Sequence, residues 1–293
     1  KFRNEVVAVV DPILKDFEVY YGGSAYITGT IPGVIRDDVQ SLMKAGLLIM
    51  VVILLLNLRS VPAVAMVIMV IGFSLFAMMG FMGWVYKLTG SDRFLFTMVN
   101  TSMPIILLTI ANSDGVHVVA KFFKEMRLKR DVRNAVATTM DSLLIPIFLT
   151  TVTTAAAFLT MILSPLEPLI GYGIAISAGI AWAWFLSSFM LPAVISLKKW
   201  DLDSKAISEV SAFEKLIDRL GRVVLTHPKY VFSTGLFLVM IGVLGFFKIT
   251  VDVNFAHFFK PGTEIRDSMD FIDNEMTGTM DIRARVEGDM KDP

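Results

Sequence analysis

The stretch Thr97–Phe123 reads TMVNTSMPIILLTIANSDGVHVVAKFF, an apolar run long enough to cross a bilayer with one carboxylate, Asp114, deep inside it. An acid at that depth costs a few kcal/mol by insertion scales, so by default it marks an ion or substrate pathway. Its local company is Asn112, Ser113 and His117. Low dielectric disfavours a carboxylate relative to the neutral acid, which is the property a proton relay uses. His117, three residues on, falls on a neighbouring position of the same helix face and could share a proton with Asp114. Plainer roles stand beside this one. Asp114 could cap a break after Pro104, or sit near enough to the inner surface to be wet, since it lies about four residues, roughly 6 Å, past the middle of its span. His117 could be an interfacial or hydrogen-bonded structural residue, and Lys121 reads as a snorkelling anchor.

A second polar group follows in the next run. Thr150, Thr151, Thr153 and Thr154 precede Ala155–Ala157. Small residues there imply close helix packing, with the hydroxyls bonded to the preceding turn. If this run packs against the Asp114 helix, Thr150, Thr151 or Thr154 could supply hydroxyls to a proton path. Gly171, Gly173, Ser177 and Gly179 likewise read as packing positions.

The elements that must position these groups are membrane spans. The chain of 293 residues is 55% hydrophobic and 18% charged, with a mean hydropathy of +0.65, well outside the range of an ordinary soluble domain. Crossing the hydrocarbon core takes roughly 20 apolar residues. Six segments meet or approach that length: 42–58, 61–88, 94–123, 143–163, 169–197 and 231–247. The net charge of zero argues against a nucleic-acid partner, and the absence of cysteine excludes disulfides and thiolate metal sites. His227 and His257 stand alone, so no metal or cofactor is expected. The sequence lacks G-x-S-x-G, H-E-x-x-H and a phosphate-cradling glycine loop, which argues against an enzyme. The amphipathic, acid-bearing start is no signal peptide, and the chain reads as a piece of a longer protein.

Loop charges set the expected orientation. Arg59, the cluster Lys121–Arg133 and the cluster Lys198–Lys229 alternate with loops holding only Lys87 and Arg93. By the positive-inside rule the basic loops are cytoplasmic, so both ends face outward. Residues 1–18 have apolar positions at helical spacing. YYGGSAYITGTIPG, residues 20–33, reads as strand and turn, as do ITVDVNFAHFF at 249–259 and DIRARVEGDM at 281–290, whereas EIRDSMDFIDNEM reads as a helix. On the basic side, residues 124–141 read as one amphipathic interfacial helix, with a second within 200–228.

The order of these elements resembles the resistance-nodulation-division (RND) superfamily, and more narrowly its MMPL-like, hydrophobe-exporting branch. The resemblance rests on GTIPGVIRDDVQ, IANSDGVHVVAKFFKEM, PIFLTTVTTAAAFLTMILSPLEPLIGYGIAISAGI and ITVDVNFAHFFKPGTEIRDSMDFID. It implies an all-α membrane bundle of six transmembrane helices, helices two to seven of a twelve-helix transporter, flanked by fragments of α/β external porter domains. The expected organisation is a first porter fragment over 1–38, a five-helix sterol-sensing-like bundle over 39–199, a connector over 200–229, a sixth span over 230–248 and a second porter fragment from 249. The resemblance implies proton-driven export of hydrophobic or amphipathic molecules, lipids above all, across a bacterial inner membrane, with Asp114, His117, Asn112 and Ser113 as the coupling group. Expected partners are the bilayer, a hydrophobic substrate, the transporter's second half, and either further copies of the chain or accessory proteins. A lipid-binding regulatory module without transport is the alternative. The chain departs from many relatives at Gly115, where they carry Tyr after the acid.

Overall fold

The computed structural model describes residues 2–17, 19–210, 212–250 and 259–276. Among them, six helices are long and apolar enough to cross a membrane: Arg36–Leu58, Val61–Thr89, Val99–Lys129, Val132–Leu163, Glu167–Leu197 and Pro228–Phe246. The chain is an integral membrane protein. It divides into two units, one of Arg36–Thr234 and one of Lys1–Ile35 with Gly235–Pro293.

In the larger unit, α2 (Ser24–Leu58) turns at Arg59 and Ser60 into α3 (Val61–Thr89). Two short 3-10 turns, Asp92–Phe94 and Met98–Ser102, lead into α4 (Met103–Lys129), and α5 (Val132–Leu159) returns antiparallel to it. After α6 (Glu167–Phe185) the helix continues through a π-helical segment, Leu186–Met190, into α7 (Leu191–Leu197). The core lies where α3, α4 and α6 meet: Val67, Met78, Leu107, Phe122, Ile176 and Ile180 are all essentially inaccessible.

Without water there is little hydrophobic drive between helices, so close backbone approach and hydrogen bonds do the joining. Gly179 is one close approach of α6 to α3 and α4; a Cβ there would sit 3.0 Å from both Leu107 Cδ2 and Met78 Sδ. At Gly173 a Cβ would meet the Phe158 carbonyl oxygen at 2.3 Å. One turn on, Ser177 Oγ lies 2.9 Å from the Ala155 carbonyl of α5 and 2.7 Å from that of Gly173. These small residues pack helices, as their spacing suggests. At the end where α6 begins, Arg93 forks onto the Glu167 carboxylate, with Nη2 donating to Oε1 at 3.0 Å.

Residues 124–141 do not form one interfacial helix. α4 runs to Lys129, Arg130 takes a left-handed conformation with φ of 54°, and Asp131 caps α5 by accepting from the Asn134 N–H at 2.8 Å. The basic apolar pattern is two helix ends meeting at a corner, and periodicity reads straight across it because the corner takes only two residues.

The connector after α7 docks beneath this corner. Trp200 packs on Phe122 and Phe123 with ring centroids 5.3 and 5.5 Å apart, and Ile207, in α8 (Lys205–Ser208), is buried. Arg127 donates to the carbonyls of Ile207 at 2.7 Å and Glu209 at 3.0 Å, and pairs with Glu214 of α9 (Ala212–Thr226) at 3.6 Å. Hydrogen bonds to a charged group contribute about 1.5–3 kcal/mol each. Arg127→Ala should therefore free the connector, seen as tryptic cleavage at Lys205 accelerated about tenfold; an unchanged rate would mean that packing alone holds it. α9 presents Leu216, Ile217, Leu220, Val223 and Val224 outward, and α10 (Pro228–Phe246) is exposed along its length.

The smaller unit contains α1 (Phe2–Ile13), the start of α2, the end of α10 and α11 (Glu264–Glu275). Tyr20 stacks on Phe271 at 4.2 Å between centroids, and Tyr26 donates to Glu264 at 2.8 Å. The helix expected at 264–276 is present. Residues 20–33 are not a strand: α2 begins at Ser24, directly after Gly23 at φ of 95°. The Thr30 hydroxyl bonds back to the Tyr26 carbonyl at 2.8 Å. A helix already nucleated by a long span propagates at little cost through β-branched residues, which outweighs their strand preference. Among the described residues there is no strand; the segments 251–258 and 281–290, read as strands, lie outside them.

Candidate functional site

α4 and α5 leave a cleft of about 530 Å³ between them. Two local features accompany it. Pro146, inside α5, lacks the N–H that would bond the Ser142 carbonyl, and it lines the cleft. On the far side of α4, Gly115 lets that helix settle onto α3, where a Cβ would stand 3.1 Å from Val67 Cγ1. A tyrosine would have no room against Val67, so the departure at Gly115 is a packing choice.

α4 contributes Thr109, Ser113, Asp114 and His117 to the cleft, and α5 contributes Thr150, Thr151 and Thr154, above Leu143 and Pro146. Six of the residues singled out by the sequence therefore share one cavity. Asp114 is half-buried, Ser113 and His117 are exposed to the cleft side, and Thr151 is buried. Asn112 is not part of it. Its Oδ1 is buried elsewhere, without a hydrogen-bond partner among the described residues. Two residues along a helix is about 200° around it, enough to carry Asn112 off the face that holds Asp114.

The hydroxyls have a polarity that composition does not show. Thr109 donates to the Ile105 carbonyl at 2.9 Å, Thr150 to that of Ile147 at 2.8 Å, and Thr154 to that of Thr150 at 2.7 Å. With their protons committed, these three oxygens can only accept from the cleft. An ionised Asp114 is also an acceptor, whereas a protonated Asp114 has a hydrogen to give. The cleft thus distinguishes the two forms of the acid by hydrogen bonding. Among the described residues Asp114 has no ion pair and no hydrogen-bond partner.

Thr109 went unnoticed in the sequence. Its signal was available: 109, 113 and 117 repeat at i, i+4, i+8 and so share a face with the acid's neighbours. No group of three or more His, Cys, Asp or Glu capable of holding a metal occurs among the described residues.

Residues 3–231, most of the chain, match the family model described as the MMPL family. None of the curated proteins compared with the chain matches it.

Proposed function

The chain belongs to the MMPL family, and from that premise we propose that it is part of an RND-type exporter of hydrophobic or amphipathic molecules, lipids above all, driven by the proton-motive force. The observation that carries this reading is the α4–α5 cleft, where a half-buried acid without an ion pair faces threonine oxygens able only to accept. A carboxyl so placed has two states with different hydrogen-bonding needs. Protonation favours one packing of the bundle and deprotonation another, so a proton gradient shifts the populations. One charge crossing the whole membrane potential supplies about 2.3 kcal/mol per 100 mV.

In the proposed orientation the loops rich in Lys and Arg face the cytoplasm of a bacterial inner membrane. The open side of the cleft, flanked by the exposed Ile145, Phe148, Leu149 and Val152 of α5, receives a helix from the transporter's second half. A protonophore tests the reading in vesicles containing the whole transporter. Export should fall to the rate of empty vesicles when the gradient collapses, while substrate binding to detergent-solubilised protein persists. Export that continues without a gradient would refute proton coupling. Lipid binding with no export at any gradient would favour a regulatory module.

A further inference from the structure

The face of α4 that carries Asp114 continues toward the basic end of the bundle with more proton-bearing groups. His117, Lys121 and Glu125 follow the acid at three, seven and eleven residues, steps that keep a stripe on one side of a helix. Glu125 is an acid that hydropathy does not flag. It is 7% exposed, and its carboxylate is held by Lys121 Nζ at 2.9 Å. The charges that act on it are cations of its own helix, Lys121, Lys129 and Lys124. Facing α4, α5 places Thr139 four residues below Leu143 and seven below Pro146, on the face that lines the cleft. Thr139 is 1% exposed, and its hydroxyl has no hydrogen-bond partner among the described residues. It lies eight residues from the Arg130–Asp131 corner and Lys121 lies nine, so they are at one depth, between His117 and Glu125.

Buried hydroxyls are almost always paired, with protein or with water. An unpaired one between a cavity holding an acid and a second buried acid is the observation that needs an explanation. We propose that this stripe is the proton-release route, in which Glu125 is the mouth residue and Thr139 positions the water that bridges to it. The proposal rests on the proton-coupled reading above. Protonated Asp114 gives its proton to a ring nitrogen of His117. The imidazolium passes one proton through water at Thr139 to the Glu125 carboxylate, and the resulting acid releases it to cytoplasmic water. Lys121 stays protonated throughout and recaptures the carboxylate, which returns each group to its starting state.

The test uses the whole transporter in vesicles with an imposed pH gradient, comparing E125Q, E125D and T139V with the parent. E125Q should lower turnover roughly tenfold or more with the substrate KM unchanged. Formate, a small mobile proton carrier, added to strongly buffered vesicles in which a trapped pH dye shows that the gradient persists, should restore much of that loss, and E125D should keep most of the activity. A purely structural role for the Lys121–Glu125 pair would show no recovery with formate, and that result, or parental turnover in E125Q, overturns the proposal. If E125Q does not fold, T139V decides: slower turnover with recovery by formate supports the route, and parental turnover refutes it. D114N separates the two levels. Parental export in D114N defeats proton coupling itself, whereas a dead D114N beside a fully active E125Q defeats only this route.

Discussion

On the proposed proton coupling, Asp114→Asn is expected to abolish gradient-driven export while leaving the fold intact. The side chain is nearly isosteric with the neutral acid, so the cleft between α4 and α5 keeps its shape. What is lost is the exchangeable proton. The threonine oxygens at 109, 150 and 154 can accept from an amide N–H as they would from a carboxylic acid. The variant therefore imitates one protonation state permanently and cannot follow the gradient. Positioned proton transfer is worth roughly a hundredfold or more in rate, and removal of the transferring group should bring export to the rate of empty vesicles. Stability should move little or rise, because a half-buried carboxylate without an ion pair is a cost to the fold. Export assays paired with thermal denaturation in detergent check both halves. Parental export, or a collapse of the thermal midpoint, would contradict the assignment.

Gly171→Ala should have the largest effect on stability. A Cβ at Gly171 would stand 1.7 Å from the carbonyl oxygen of Arg93 and 2.6 Å from its carbonyl carbon. Both are main-chain atoms of the 3-10 turn Asp92–Phe94, and Arg93 is itself tied to Glu167 at the start of α6. No rotamer change relieves that overlap; the turn or the helix must move. Overpacking of this kind costs about 1–3 kcal/mol, occasionally more, and the backbone contact puts this site at the upper end. Gly72→Ala is the control, since nothing lies within 4 Å of a Cβ there; in a helix interior the exchange should be stabilising by up to about 1 kcal/mol. Thermal midpoints of the two variants should therefore move in opposite directions. A tolerated Gly171→Ala would mean that α6 and the turn do not approach as described.

Much of the site was legible before any tertiary information. Asp114 drew notice because a carboxylate in an apolar run is expensive wherever the helix is placed. Thr150 and Thr154 were legible as residues that bond to their own preceding turn, and they do. Their meeting with Asp114 was a conditional expectation that needed α4 and α5 to be neighbours. Asn112 shows the limit of proximity in sequence, since a helix rotates about 100° per residue and a neighbour in the chain can face another element. Glu125 shows the limit of hydropathy. It sits among Lys121, Lys124, Arg127 and Lys129, which reads as a solvated helix end, yet packing buries it.

What the sequence determined by itself are quantities that add up along one segment: six runs apolar enough to cross a membrane, the signs of their loops, and the cost of one acid inside the third. Transfer from water to lipid acts residue by residue, so no knowledge of neighbours is needed. The tertiary structure decided which faces meet: Gly115 against Val67, Gly171 against Arg93, the corner at Arg130, and the cleft that joins Asp114 to the threonines. Those contacts depend on the rotation and approach of whole helices. Most of them are set by pairs of residues far apart in the chain, through close clearances between helices that no single segment encodes.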